Sequence, residues 1–374
     1  MSQRQPAESA KVVLEKTIMC KFTIIALVFL MPLKVIADKH PTAIELLDKY
    51  AETHDKLQSF ILKGVCSTDY VNSFMRGKNK AHQSFEFRLD DNRFCFRNQI
   101  WGNLPYSRLK FTPKNKPEYQ SFTWDGQTYF QYGRSSRLRA PTLKLSHGKL
   151  FIHRDWNDVK TKQSISRSPA GTILMGFFYG NAERIDSVLR KADSISVRDN
   201  MEQVGESKCY VIDAVTRSGK YTVWIDPEHG YNVAKTKVQM EENDLFYGRP
   251  MTRGDKIVGS FNYTRFKKID DVWIPMESNL KVLRDMPGMN FFNFMRSFKL
   301  NNFTHFTRHY KLTEITLNPD FETLNAFIPD DIENGAEVEF TGVESITYIW
   351  RNGQVVDEKG RVIMDCRTKK PDKK

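Results

Sequence analysis

His305 and His309 are spaced as His-x-x-x-His, a pattern that puts two imidazoles on one face of a helix and invites a metal ion. The residues around them instead predict a strand over Thr307–Leu317. In a strand, four residues at about 3.3 Å each separate the rings by roughly 13 Å, too far for one ion. Both are read as surface histidines. Asp226, Glu228 and His229 cluster like an acid–base group, but Pro227 and Gly230 mark a turn there, and turn formation explains them without catalysis. The carboxylate pairs Asp90/Asp91, Asp270/Asp271 and Asp330/Asp331 fall at predicted turns or loops. No Gly-x-Ser-x-Gly, His-Glu-x-x-His, P-loop or dinucleotide fingerprint occurs. The expectation is a protein that is not an enzyme, with no catalytic residue, no metal and no cofactor. Asn262-Tyr263-Thr264 and Asn302-Phe303-Thr304 match the glycosylation acceptor pattern, which matters only in a host that glycosylates.

Ten uncharged residues, Phe22 to Met31, follow Lys21 and end at Pro32; Val35, Ile36 and Ala37 then precede a polar chain. A basic flank, a short apolar core and small or branched residues at −3 and −1 predict a signal peptide cleaved after Ala37, hence a periplasmic or otherwise exported protein. The run is too short for a bilayer core of roughly 30 Å, and Cys20 precedes it, so no lipobox is formed. The polar residues before Met19 are unusual for such a signal, and Met19 is an alternative start. The full chain carries +12, and loss of residues 1–37, which hold a net +3, leaves +9. A basic protein in an envelope compartment meets anionic head groups more often than nucleic acid; its scattered charges also suit a plain solvated surface. Cys66, Cys95, Cys209 and Cys366 match no zinc or redox spacing. They permit three disulfide pairings or none, and Cys66 can reach Cys95 only if their strands are neighbours.

The elements that would position these residues are one helix and many strands. Thr42 and Glu45 form a capping box after Pro41, and Ile44, Leu47, Ala51 and His54, with Leu46, Tyr50 and Leu57 beside them, mark a helical stripe over Thr42–Ser59. Phe85, Phe87 and Leu89, the turn Asp90-Asp91-Asn92, then Phe94, Phe96 and Ile100 predict a hairpin. A second hairpin turns at Asp125-Gly126. An apolar run Ile173–Tyr179 and a short helix over Ala182–Ala192 interrupt the strands. These resume at Cys209–Thr216, Lys220–Asp226, Tyr231–Met240, Ile257–Phe266 and Val272–Leu283. Tight turns between consecutive strands require antiparallel pairing, so the fold class is α+β with a large antiparallel sheet.

Several strands are apolar on both faces: Tyr221, Val223 and Ile225 point one way and Trp224 the other. Either both faces are covered or one lines an apolar cavity. Met286–Phe298, seven of whose thirteen residues are Met or Phe, is either a satellite cluster under a loop or a flexible apolar lip. The candidate cavity residues are Tyr221, Val223, Trp224, Phe261, Tyr263, Trp273, Met289, Phe291 and Phe292.

The stretch Lys220–Val238, containing Trp224-Ile225-Asp226-Pro227, resembles the strand–turn–strand centre of LolA-like outer-membrane lipoprotein-sorting proteins. Asp271-Val272-Trp273-Ile274-Pro275 is similar to their later strand. Asn318-Pro319-Asp320-Phe321, Ala326-Phe327-Ile328-Pro329 and Asn334-Gly335 resemble the closing segment. The resemblance runs over roughly residues 42–340, with matching motifs in about a fifth of them, and the chain is longer than the family's carriers through 133–205, 284–304 and a C-terminal extension, 341–374, with a basic tail. It implies a domain, 38–340, built as a curved, half-open β-barrel with helices covering its concave face and acyl chains held between them. No gating residue is carried over. The implied function is an exported lipid or lipoprotein carrier, with acyl chains or lipidated proteins as partners, transient membrane contact and no nucleic acid. A signalling or scaffold module with an envelope protein partner is the alternative, and a hydrolase the third reading.

Overall fold

A computed structural model of the chain describes residues 40–72, 78–102, 118–134, 147–153, 157, 164–166, 168–285, 303–343 and 346–367. The predicted signal segment and Met286–Phe298, with Met289, Phe291 and Phe292, lie outside them. The chain divides into residues 1–41 and 42–374, and every element below belongs to the second unit.

Helix α1, Ala43–His54, starts at the predicted capping box: the Glu45 backbone N–H donates to Thr42 Oγ1 (3.2 Å), and the Thr42 N–H donates to Glu45 Oε2 (2.7 Å). Its buried face is Ala43, Leu46, Leu47, Tyr50 and His54, while Ile44 is 45% exposed. The apolar stripe is therefore centred on Leu46 and Leu47 rather than on the Ile44 row. The helix also ends five residues short of the predicted Ser59, because Asp55 caps it and the chain must turn into a strand that begins at Ser59.

The first strands are β1 (Ser59–Asn72), β2 (Lys78–Asp90), β3 (Arg93–Gly102), β4 (Glu118–Trp124), β5 (Tyr129–Arg134) and β6 (Lys149–His153). Helices α2 (Pro169–Ile173) and α3 (Ile185–Arg190) follow. Then come β7 (Ser194–Val197), β8 (Glu202–Val204), β9 (Ser207–Thr216), β10 (Gly219–Asp226), β11 (Asn232–Met240), and a two-rung hairpin of β12 (Leu245–Phe246) and β13 (Arg249–Pro250). The chain continues through β14 (Lys256–Ile269), β15 (Val272–Asp285), β16 (Phe303–Leu317), β17 (Glu337–Phe340), β18 (Tyr348–Arg351), β19 (Gln354–Val356) and β20 (Val362–Asp365).

All strands but β12 and β13 join one sheet. From one edge the order is β20, β19, β18, β17, β6, β5, β4, β3, β2, β1, β16, β15, β14, β11, β10 and β9, with β7 and β8 sharing the last edge. Two antiparallel meanders, β1–β6 and β9–β16, meet where β1 pairs with β16. The pairing of β6 with β17 is parallel, so the sheet is mixed rather than wholly antiparallel. The chain between those two strands supplies the long crossover that a parallel pair demands. Among the described residues the sheet stays open at both ends and closes no barrel. The residues expected as a C-terminal extension carry β18 to β20, which continue this sheet beyond β17.

Bulges break the register at Lys63/Gly64, Trp224/Ile225 and Tyr263–Phe266, and such insertions raise the local twist. Gly64 has no side chain because the Phe85 ring and the Lys311 carbonyl occupy the place of a Cβ.

Period-two burial divides the sheet's side chains between its faces. On one face Phe60, Leu62, Phe85, Phe87, Phe94, Val223, Phe261, Leu280 and Tyr310 share a large apolar cluster with Leu46, Leu47 and Tyr50 of α1 and with Ile173, Ile185 and Leu189. The opposite face is covered in two places. Cys95 meets Phe321 and Phe327, and Cys209 and Val211 meet Trp224 and Ala234. A further cluster of Tyr132, Leu150, Val338 and Trp350 fills the β5–β6–β17 end. Ion pairs Arg93–Glu322 (3.1 Å), Arg97–Asp330 and Arg134–Glu333 tie the segment after β16 to β3 and β5.

The four cysteines described are free. Strand β2 separates β1 from β3, and Cys66 and Cys95 belong to clusters on different faces, so the neighbour condition for their pairing fails.

Candidate functional site

Three short stretches converge beside the end of α1. Ser168 caps α2, its Oγ accepting from the Gly171 N–H (3.0 Å) and donating to the Ile165 carbonyl (2.7 Å), with Pro169 at the first helical position. After α2 the chain bends out of the helix, and burial alternates: Leu174, Gly176 and Phe178 are buried, whereas Met175, Phe177 and Tyr179 are half-buried. Phe178 meets Phe261 edge-on at 5.7 Å. Gly176 sits at φ +69°, and a Cβ there would overlap the Tyr50 hydroxyl. Gly176→Ala is expected to cost about 2 kcal/mol through left-handed strain and displacement of α1, measured as a lower urea midpoint. An unchanged midpoint would show that the two segments do not meet so closely.

Arg184 stands at the N-terminus of α3 and organises the site. Its guanidinium grips Asp186 with two bonds, Nε to Oδ1 (2.7 Å) and Nη2 to Oδ2 (2.8 Å), and donates from Nη1 to Asp55 Oδ1 (2.8 Å). Asp186 is 3% exposed, and although burial opposes its charge, Arg184 holds its carboxyl below the usual range. Asp55 caps the C-terminus of α1, where the helix dipole disfavours an anion; Arg184 offsets this. His54 is buried against the Tyr50 ring (4.2 Å), and burial, with Arg184 nearby, pushes its imidazole down to about 3. It is neutral at any physiological pH.

These groups border a cleft of about 790 Å³. Leu57, Leu89, Met175 and Phe177 give it an apolar wall, and Asp55, Asp91, Glu183, Arg184 and Lys191 a charged rim. That volume lies within the range of small-molecule sites, roughly 300–1,000 Å³.

Among the described residues, none of the sequence-predicted cavity candidates (Tyr221, Val223, Trp224, Phe261, Tyr263 and Trp273) lines this cleft. Tyr221, Val223, Phe261 and Tyr263 come together in the main cluster, each at most 9% exposed. The Tyr263 hydroxyl donates to the Ile173 carbonyl (2.7 Å), and Tyr221 accepts from Asn181 Nδ2 (3.2 Å). Trp224 faces the other way, as its alternation implied; its Nε1 donates to Glu202 Oε2 (2.9 Å), and Lys235 lies over its ring at 4.7 Å. Trp273 is half-buried and edge-on to His229 at 4.7 Å. The sequence does not announce the cleft, because its lining comes from four separated stretches; the apolar Met175 and Phe177 are its one local signal.

The acid–base cluster at the β10–β11 turn behaves as a turn. Asp226 Oδ1 accepts from the Glu228 and His229 N–H groups (2.9 and 3.3 Å). Ser207 Oγ (3.4 Å) and Asp226 Oδ2 (2.7 Å) both meet His229 Nδ1. A hydrolytic triad needs the hydroxyl and the carboxylate on opposite ring nitrogens, so this set is not one. His305 and His309 both lie on β16, at the separation that strand spacing dictates. Among the described residues no cluster of three or more His, Cys, Asp or Glu is arranged to hold a metal ion, and no helix is long and apolar enough to cross a membrane.

The fold and cleft define a large open mixed sheet with few helices and a small-molecule-sized pocket beside the ends of its central strands β1 and β2. No family model matches this sequence, and no curated protein does. Among solved structures the chain is similar to a DUF1329 family protein from Desulfovibrio piger, at 11% identity and a TM-score of 0.35, covering 74% of this chain and 92% of that one.

Proposed function

We propose that this is an exported, non-enzymatic protein of the LolA-like kind, binding lipids or lipidated proteins by their acyl chains. One observation carries the reading: a single apolar face of the open sheet shares its core with α1, α2 and α3, and a cleft opens where those helices end. Each methylene removed from water is worth about 0.8 kcal/mol, so an acyl chain entering the cleft gains steadily with length. Leu57, Leu89, Met175 and Phe177 are its first contacts, and Tyr221, Val223, Phe261 and Tyr263 form the layer beneath. Trp273 is a further proposed contact outside the cleft, and Met289, Phe291 and Phe292, which lie outside the described residues, are proposed contacts as well. In this reading α1 and the α2–α3 segment cover the apolar face when no ligand is bound.

The test is what travels with the protein. The chain expressed with its N-terminal segment and purified from the compartment it reaches should release acyl chains on denaturation, detected by mass spectrometry. Phe177→Asp, which puts a charge on the cleft wall, should reduce the yield about tenfold or more. Ligand-free spectra of the unaltered chain would overturn the proposal.

A further inference from the structure

The face that carries the apolar cluster also carries an arginine that no carboxylate among the described residues pairs with. On β16, Phe306, Arg308, Tyr310 and Leu312 alternate onto the same side, and Phe306, Tyr310 and Leu312 belong to the main cluster. Arg308 is half-buried opposite Leu280 of β15. Among the described residues its one side-chain hydrogen bond runs from Nη1 to the Tyr310 hydroxyl at 3.5 Å, the limit for such a bond, and its guanidinium lies over the Phe306 ring at 5.0 Å. Among the described residues no carboxylate pairs with it; the groups that face it are Tyr310, Cys66 and Tyr179. Burial raises the pKa of all three, so they are neutral and supply no countercharge.

A guanidinium has five donors and keeps its charge in proteins, so taking it partly out of water with one long bond is costly. The surroundings look built for a ligand rather than for an ion pair. Tyr179 stands edge-on to Phe306 (5.6 Å) and near Phe246 (5.6 Å), and Arg284 of β15 lies over Phe246 at 5.1 Å and bonds Tyr179. Two arginines thus flank Tyr179, and all these side chains are half-buried and reachable from solvent. Tyr179 also lies four residues beyond Met175 and two beyond Phe177, both in the wall of the cleft.

We propose that Arg308, with Tyr179 and Tyr310 beside it and Arg284 adding to the field, is a site for an oxyanion: the carboxylate or phosphate head of an amphiphile. This rests on the acyl-binding reading, and it makes the preferred ligand anionic, with its chain along Met175–Tyr179.

The full chain is titrated with palmitate, methyl palmitate and inorganic phosphate, alongside Arg308→Gln and Arg308→Lys. Palmitate should bind the unaltered protein about ten- to a hundredfold tighter than its ester, the ratio expected for charge-assisted hydrogen bonds. Arg308→Gln should erase that difference, and Arg308→Lys should restore part of it. Equal binding of acid and ester overturns the anion site and leaves the acyl-binding reading standing. If neither lipid binds, that reading fails. In that case phosphate binding that Arg308→Gln abolishes supports a free-anion site, and its absence overturns the inference too. Thermal unfolding without ligand separates a structural role: removing an uncompensated charge should leave Tm unchanged or raise it, and a fall beyond about 4 °C sinks the proposal.

Discussion

Arg184→Gln should lower the stability of the protein by about 3 kcal/mol, because it strands the buried Asp186 carboxylate and at the same time frees Asp55 at the α1 C-terminus. Breaking one side of a fully buried pair costs up to about 5 kcal/mol; Arg184 keeps 26% of its side chain exposed, and water reduces the penalty. The companion pair Arg190–Asp48 (2.6 Å) is exposed on both sides, and Arg190→Gln should cost less than about 0.5 kcal/mol. Arg184→Lys keeps the charge but loses the two-pronged grip, so it should fall between. Urea denaturation of the three variants gives the order. If Arg184→Gln and Arg190→Gln prove equal, the buried carboxylate is not held in the way described.

Acid should destabilise the protein well before its carboxylates protonate. His54 has a folded pKa of about 3 against 6.5 for the free side chain, through burial first and the Arg184 charge second. A depressed histidine contributes stability that is complete above its unfolded pKa and is lost as pH falls, here from about 6.5 toward 3. Once the unfolded chain holds the proton and the folded one does not, each pH unit removes about 1.4 kcal/mol. Between pH 6 and pH 4 that amounts to roughly 2–3 kcal/mol. Asp186, also depressed, adds its share only below the ordinary carboxylate range. His54→Gln should flatten the pH 6–4 slope whatever it does to absolute stability. A slope identical to that of the unaltered protein would mean that His54 is protonated in the fold.

Much of this arrangement is local and was legible in the residues. The Thr42/Glu45 box, the Asp90–Asn92 and Asp125-Gly126 turns and the strands from Cys209 to Leu283 all appear where their patterns put them. Each is decided within a few residues by capping, turn chemistry or period-two burial. The Asp270-Asp271 turn, both residues at positive φ, is the same kind of local instruction. Strands β6 and β17 escaped because they are four or five residues long and each is stabilised by a partner far away in the chain. The β18–β19 hairpin carries a local signal as well: Asn352-Gly353, again both at positive φ, between Tyr348–Arg351 and Gln354–Val356. The cleft and the Arg308 environment are tertiary by nature. An arginine that alternates with Phe306 and Tyr310 differs in no local property from one on a solvated face.

The seam between β1 and β16 has a consequence for how this chain comes together. Phe60 finds Leu317 only after nearly the whole chain exists, so the two meanders can form first and the seam closes last. Until then the molecule has two half-sheets, each ending in a bare strand of fourteen or fifteen residues with its backbone donors and acceptors unspent. Long open edges of that kind pair with whatever strand they meet, including their counterparts in another copy. The hazard is greatest in the interval between synthesis of β1 and arrival of β16. A chain kept unfolded until it is complete, as one destined for export would be, passes through that interval without presenting either edge.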